Sequence, residues 1–370
     1  TRINEAHSIS HLADNEYGIL LSDLKEPDQA FPIITRLRRV LGKPVECDGK
    51  PIYPGFNIGV ALYPDCGDQA QELLESAIGA RLEAASLPEK VAYHFASSDM
   101  EKMSREYLQL ESDLYQAVAE EQFEVHFQPK FDLATRTIGS VEALVRWRHP
   151  VRGNVSPVDF IPIAETNGLI GQIFHQVLDA SLAQLLEWDR LGIEGINVSV
   201  NLSASQLRDA ELVSEVLMAL KRADLAPPRL EIELTETSII QSPQRARIAL
   251  GQLHDAGVSI SMDDFGTGYT SLGLLAELPL DSVKIDRSFI VAMQSSERSR
   301  AIVESVINMA HTLRLLVVAE GVETNEQLTT LDALGCNEVQ GYLISRPLAG
   351  PDITQLLERE SRHHSQRMAI

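Results

Sequence analysis

The chain has 370 residues, 44% of them hydrophobic, with 32 Lys and Arg against 53 Asp and Glu for a formal net charge of −21. That is apolar material for sizeable cores and length for two domains, and the negative charge disfavours a phosphate polymer such as duplex DNA or RNA. No apolar run approaches the ~18 residues of a membrane span, and the three cysteines (Cys47, Cys66, Cys336) form no CxxC pair.

In chain order, Tyr17–Leu21 and Gly55–Leu62 read as strands, and Ala30–Val40 and Gln69–Ala85 as helices. This arrangement occupies residues 1–98 and opens abruptly, as though the sequence enters partway into a domain. Glu101–Glu120 is a charged amphipathic helix suited to join two domains, so residues 99–120 are assigned as a linker. From Val125 onward, short β-branched segments alternate with amphipathic ones. The strands are Val125–Phe131, Ser140–Trp147, Ile196–Leu202, Arg229–Leu234, Val258–Met262, Ser282–Ile285, Leu315–Ala319 and Glu338–Ile344. The helices are Gln172–Leu191, Ala210–Ala223, Pro243–Ala256, Arg298–Leu313 and Asn325–Leu334, and Gly192, Gly257 and Gly335 stand where C-caps belong. Roughly eight strands separated by helices imply parallel βαβ units closed into a TIM-like (β/α) barrel over residues 121–358, an α/β fold. Residues 359–370 are polar and read as a frayed tail.

In such a barrel the reactive groups stand at strand ends. Glu142, Asn201, Glu233, Glu236, Asp263, Asp264, Lys284, Asp286, Glu320, Glu323 and Gln340 all fall there. One carboxylate after a strand is commonplace. Many converging cannot all stay ionised without cations between them. With no histidine or thiolate among them, the donors suit Mg²⁺ or Mn²⁺ and not zinc. Adjacent Asp263 and Asp264 allow one aspartate to bridge two ions, as a two-metal phosphodiester site requires.

The segments Gln128-Pro129, Glu142-Ala143-Leu144, Asn201-Leu202-Ser203, Glu233-Leu234-Thr235-Glu236, Asp263–Gly268, Lys284-Ile285-Asp286, Glu320–Glu323 and Gln340-Gly341-Tyr342 closely resemble, in order, those of the EAL-domain cyclic-di-GMP phosphodiesterases. The resemblance runs from about Leu108 to Glu358 and implies metal-dependent hydrolysis of cyclic-di-GMP to linear pGpG. It implies that Glu142, Asn201, Glu233 and Asp263 hold one metal, and that Asp263, as a bridge, holds a second with Asp264 and Glu320. Lys284 would position or activate the attacking water, and Glu236 would brace the loop Asp264–Leu272, which in the family leads to the interface of a homodimer. Gln128, Arg146 and Gln340 match positions that contact the dinucleotide or support the site. A non-catalytic cyclic-di-GMP receptor is the alternative, but it would normally have lost metal ligands that are all present here. A Schiff-base barrel enzyme could use Lys284, yet the acidic ring fits metals better.

The first hundred residues resemble the C-terminal half of a GGDEF (diguanylate cyclase) domain, through Phe56–Pro64 and the helix Leu73–Leu82. Its signature loop aligns with Ala13-Asp14-Asn15-Glu16-Tyr17 and is degenerate: Asp14 replaces a glycine and Asn15 a metal-binding carboxylate. The Arg-x-x-Asp inhibitory site would fall at Asn4 and His7 and is also lost. The resemblance implies a regulatory part without cyclase activity. A cytoplasmic enzyme is expected, with a membrane tether through a region before Thr1 left open. His311 reads as packed or solvated, Trp147 and Trp188 as core, His363-His364 as a mobile tail, and Arg36, Arg38 and Arg39 as a solvated helix face.

Overall fold

The computed structural model describes residues 7–368 apart from 14, 23, 25, 48–49, 88–90, 242 and 267–276, and no side chain beyond 361. The chain divides into two compact units, the first holding Thr1–Gln116 and the second nearly all of the remainder.

The first unit has three strand pairs. β1 (His7–Ala13) and β2 (Glu16–Leu21) form an antiparallel hairpin, as do β3 (Val45–Cys47) and β4 (Lys50–Ile52). β5 (Phe56–Val60) and β6 (Val91–Phe95) are parallel, connected by the helix Ala70–Ala84. Gly59 lets this helix lie directly on β5, since a Cβ there would stand 1.9 Å from the Ala77 carbonyl oxygen. Ala30, Phe31, Ile34, Phe95 and Met100 form the core. At the start of β2, Glu16 pairs with Arg81 at 2.9 Å. Asn4, Asp14 and the His7 side chain lie outside the described residues.

The second unit is an eight-stranded closed barrel. Its strands are β7 (Phe123–Asp132), β8 (Thr137–His149), β10 (Asn197–Asn201), β11 (Leu230–Thr235), β12 (Ser259–Phe265), β13 (Ser282–Ile285), β14 (Leu316–Ala319) and β15 (Glu338–Gln340). The short β9 (Gly153–Val155) extends β8, and β16 (Leu348–Ala349) extends β7. Neighbours from β8 round to β15 pair in parallel, and β7 closes the ring between β15 and β8. Valine and isoleucine recur along these strands, as suits segments covered by helices outside and packed side chains within.

The barrel is not wholly parallel: β7 runs antiparallel to both neighbours. A short turn joins β7 to β8, and Arg136 in it adopts φ 59°. A turn of that length can only reverse the chain, whereas a parallel pair needs a crossover. The segment after Leu357 is not frayed backbone, because the helix Gly350–Met368 runs through it; the side chains of His363 and His364 lie outside the described residues. The last expected strand is also shorter, since β15 stops at Gln340 and the chain turns. The helix expected over Glu101–Glu120 spans Ser98–Ala119. Gly192, Gly257 and Gly335 take φ 76°, 96° and 80°, the left-handed values of helix ends.

Trp147 and Trp188 are core residues with satisfied indoles, donating to Gln122 Oε1 and Thr354 Oγ1. His311 hydrogen-bonds Asn337 Oδ1. Burial pushes the Cys336 thiol up to about 12, so it is chemically quiet. Among the described residues, no helix is long and apolar enough to cross a membrane.

Candidate active site

Successive residues of a strand point to opposite faces, so every second residue of β8 and β11 looks into the barrel. Glu142 belongs to this inward set, although it is not at a strand end as expected. β8 continues seven residues beyond it, but pairs with β10 only as far as Ala143, so Glu142 stands where the barrel proper stops. Glu231 and Glu233 of β11, two apart, both point inward. Asn201 lies level with Glu233 across the next pairing.

At the centre is Lys284 of β13, fully buried. Its Nζ lies 2.6 Å from Glu320 Oε1, 2.7 Å from Glu233 Oε2, 3.3 Å from Glu142 Oε2 and 3.5 Å from Asp263 Oδ1. Four carboxylates, on β8, β11, β12 and just past β14, therefore converge on one cationic point. Burial alone would discharge the ammonium, but the surrounding carboxylates hold it firmly charged.

Adjacent Asp263 and Asp264 would ordinarily face opposite sides of β12. The ladder with β13 breaks register between Met262 and Phe265, and Asp264 takes φ 56°. This left-handed residue turns the second carboxylate toward the first. Asp263, Asp264 and Glu320 consequently offer one oxygen each within 4.8 Å of one another. Burial raises the affinity of Asp263 for a proton, opposed by Lys284 and reinforced by Glu320 and Glu233. Glu320 shifts the same way, again first by burial. The carboxylates here outnumber the lysines that meet them. The all-oxygen donor set together with this charge deficit fits hard divalent cations.

The remaining expected residues fall around this centre. Asn201 donates from Nδ2 to Glu142 Oε1 at 2.7 Å. Gln340 donates from Nε2 to Glu142 Oε2 at 2.6 Å and to Gln128 Oε1 at 3.1 Å. Gln128 in turn donates to the Ser345 carbonyl. Glu236 is buried and accepts a hydrogen bond from the Gly266 amide at 3.2 Å; Thr267–Leu272, the rest of that loop, lie outside the described residues. Above the carboxylates opens a cleft of about 200 Å³ lined by Gln128, Glu142, Leu144, Glu320 and Gln340, with Arg287 and Tyr342 at its sides. Arg146 is not among its lining. Its guanidinium donates to the Val145 carbonyl, within electrostatic reach of Glu142 and Tyr342.

Two features escaped the sequence reading. The guanidinium that does line the cleft is Arg287, paired with Glu323 at 2.8 Å. Its side chain crosses Gly321 so closely that a Cβ there would stand 2.2 Å from Arg287 Cγ, and Gly321 has φ 67°. The glycine between Glu320 and Val322 was the available clue. The other is Lys130, wholly buried, with Nζ 2.6 Å from Glu231 Oε1 and 2.8 Å from Glu233 Oε1. Glu231, two residues before Glu233 on a strand, was its clue. Burial would raise Glu233, but Lys130 and Lys284 together hold it well below the usual carboxylate range.

A model of the EAL domain matches residues 111–347. Cyclic di-GMP phosphodiesterase NbdA of Pseudomonas aeruginosa is 40% identical over 346 residues, covering 94% of this chain and 44% of that protein. The bifunctional diguanylate cyclase/cyclic di-GMP phosphodiesterase MucR of the same organism is 39% identical, over 92% of this chain and 50% of its own length. The chain thus spans about half the length of these curated relatives or less. The solved structure of the MucR phosphodiesterase in complex with c-di-GMP is 43% identical with a TM-score of 0.64, covering 66% of this chain and 99% of that one. With the motifs in order and the barrel that carries them, this chain belongs to the EAL-domain family.

Proposed function

We propose that the chain hydrolyses cyclic-di-GMP to linear pGpG with two divalent cations, Mg²⁺ or Mn²⁺, and that the first unit is a degenerate, regulatory GGDEF part. The observation that carries the reading is the convergence of Glu142, Glu233, Asp263 and Glu320 around Lys284 with Asp264 beside them. In it, Glu142, Asn201, Glu233 and Asp263 hold one cation, while Asp263, Asp264 and Glu320 hold the other. Bound cations supply a deprotonated water and neutralise charge on the phosphodiester as its P–O bond breaks.

The chain's own groups do the rest. Lys284 keeps a fixed positive charge beside the attacking oxygen, in a position that needs no rearrangement during the reaction. Gln340 Oε1 is buried without a partner among the described residues and can accept from a guanine edge at the cleft. Arg146 and Arg287 provide guanidinium groups whose geometry suits phosphate oxygens. Leu144 and Tyr342 supply the apolar walls against which a base can lie.

The test is incubation of the full chain with cyclic-di-GMP and Mg²⁺, with products separated by chromatography. Turnover to pGpG should stop on chelation and return with Mg²⁺ or Mn²⁺. Intact dinucleotide after prolonged incubation, with binding retained, would instead make the chain a receptor.

The reading extends to a homodimer formed through the barrel. Glu236 ties the Gly266 amide to the strand next to Asp264, so the start of the loop is fixed from two sides. Glu236→Ala should weaken Mn²⁺ binding on the order of tenfold, the usual cost of losing an outer-shell partner. It should also remove the dependence of activity on protein concentration, without unfolding the barrel. Unchanged metal binding and unchanged concentration dependence would dissociate the loop from the site.

A further inference from the structure

The interior of a (β/α) barrel is ordinarily filled by branched apolar side chains. Here a buried chain of polar groups runs beneath the carboxylate cluster. Ser282 Oγ donates to Glu231 Oε2 at 3.1 Å, Glu231 Oε1 accepts from Lys130 at 2.6 Å, and Lys130 reaches Glu233 Oε1 at 2.8 Å. Lys130 is 1% exposed and Glu233 is 0% exposed. Replacing a buried ion pair by apolar groups is often neutral or stabilising, so stability alone does not account for this arrangement.

The geometry has a consequence for Glu233. Its two oxygens are held by different lysines, Oε1 by Lys130 and Oε2 by Lys284. Lys284 is shared with three other carboxylates, whereas the carboxylates in ion-pair contact with Lys130 among the described residues are Glu231 and Glu233. Lys130 comes from β7 and also contacts Glu231, two residues before Glu233 on β11, whereas Asp263 and Glu320 meet Lys284. Lys130 therefore engages Glu233 Oε1, while Oε2 is the oxygen that meets the lysine shared with Glu142, Asp263 and Glu320.

We infer that Lys130 is a positioning residue that makes Glu233 a one-oxygen metal ligand, and thereby favours small octahedral cations over Ca²⁺ at this site. The inference rests on the proposed metal role of Glu233. Ca²⁺ takes six to eight oxygens and readily uses carboxylates with both oxygens, while Mg²⁺ and cations of its size require near-octahedral geometry at short distances. A carboxylate with one oxygen already engaged by a lysine serves the second kind and penalises the first.

The experiment is titration calorimetry of the metal-stripped full chain with Mn²⁺ and with Ca²⁺, for the wild type, Glu231→Gln and the double variant Lys130→Met with Glu231→Gln. The double variant removes one positive and one negative group together, so no single buried charge is left over. The wild type should bind Mn²⁺ at least about tenfold more tightly than Ca²⁺. In the double variant that ratio should fall on the order of tenfold or more, the range seen when an outer-shell partner is lost. Glu231→Gln retains Lys130 on Glu233 and should keep the ratio within about threefold, as a distant anchor contributes less than the direct one. General damage to the fold would weaken both cations and leave the ratio alone. A wild type preferring Ca²⁺, or a folded double variant with an unaltered ratio, overturns the inference; should the double variant fail to fold, Lys130→Gln is titrated in its place, with a fallen ratio supporting the inference and an unaltered one overturning it. Absence of any divalent binding by the wild type would instead overturn the proposed metal site itself.

Discussion

Lys284→Met is expected to abolish measurable turnover of cyclic-di-GMP and to destabilise the metal-free protein. Four carboxylates, from Glu142, Glu233, Asp263 and Glu320, now lie within 3.5 Å of its ammonium group. Removing one partner of a buried ion pair costs about 3–5 kcal/mol, because the other is left charged and unsolvated. Losing a fixed charge beside the reacting oxygen typically costs a factor of about 10²–10³ in rate. The two effects can be separated. Mn²⁺ added to the variant should recover much of the lost thermal stability, since a cation can serve the same carboxylates, while the rate should stay low. A variant as stable as wild type without metal would show that Lys284 is not what balances the cluster.

Glu142→Ala should lower the rate on the order of 10²-fold or more, with the loss appearing in kcat as well as in the metal concentration needed for half activity. The structure gives a reason beyond the loss of one anionic ligand. Glu142 is the common acceptor for Asn201, Gln340 and Lys284, so its removal frees three donors at once. Glu142→Gln keeps the shape but offers an amide against donors, and should be nearly as damaging. Turnover close to wild type in both variants would remove Glu142 from the site.

Most of the second unit was legible in the sequence. Short β-branched runs alternating with amphipathic segments report which residues are buried on both faces, and those intervals alone gave eight strands and the order of the chemical motifs. Ser282–Ile285 agrees with the observed strand at both ends, and the others differ by a few residues at either end, where ladders fray. The identity of the donors was legible too. Carboxylates and amides without histidine or thiol restrict the chemistry whatever the geometry. In the first unit the same periodicity located both expected strands and both helices, although it could not say which strands pair.

Tertiary structure decided the rest, for reasons that local pattern cannot carry. The direction of β7 follows from the length of the turn before Thr137, and the run Val125–Phe131 reads the same in either direction. Asp263 and Asp264 share a site only because β12 loses register against β13 and Asp264 adopts a left-handed conformation. Alternation along a strand would have sent them apart. Lys284 could be placed at a strand end from sequence, but its contact with four carboxylates requires the ring to close. Lys130 and Arg287 were invisible for the same reason. A lysine within a strand, and an arginine one position past a motif, acquire their roles from distant partners: Glu231, 101 residues after Lys130, and Glu323, well beyond Arg287 in the chain. Periodicity fixes the face a side chain occupies. Which other faces it meets is set by how the barrel closes.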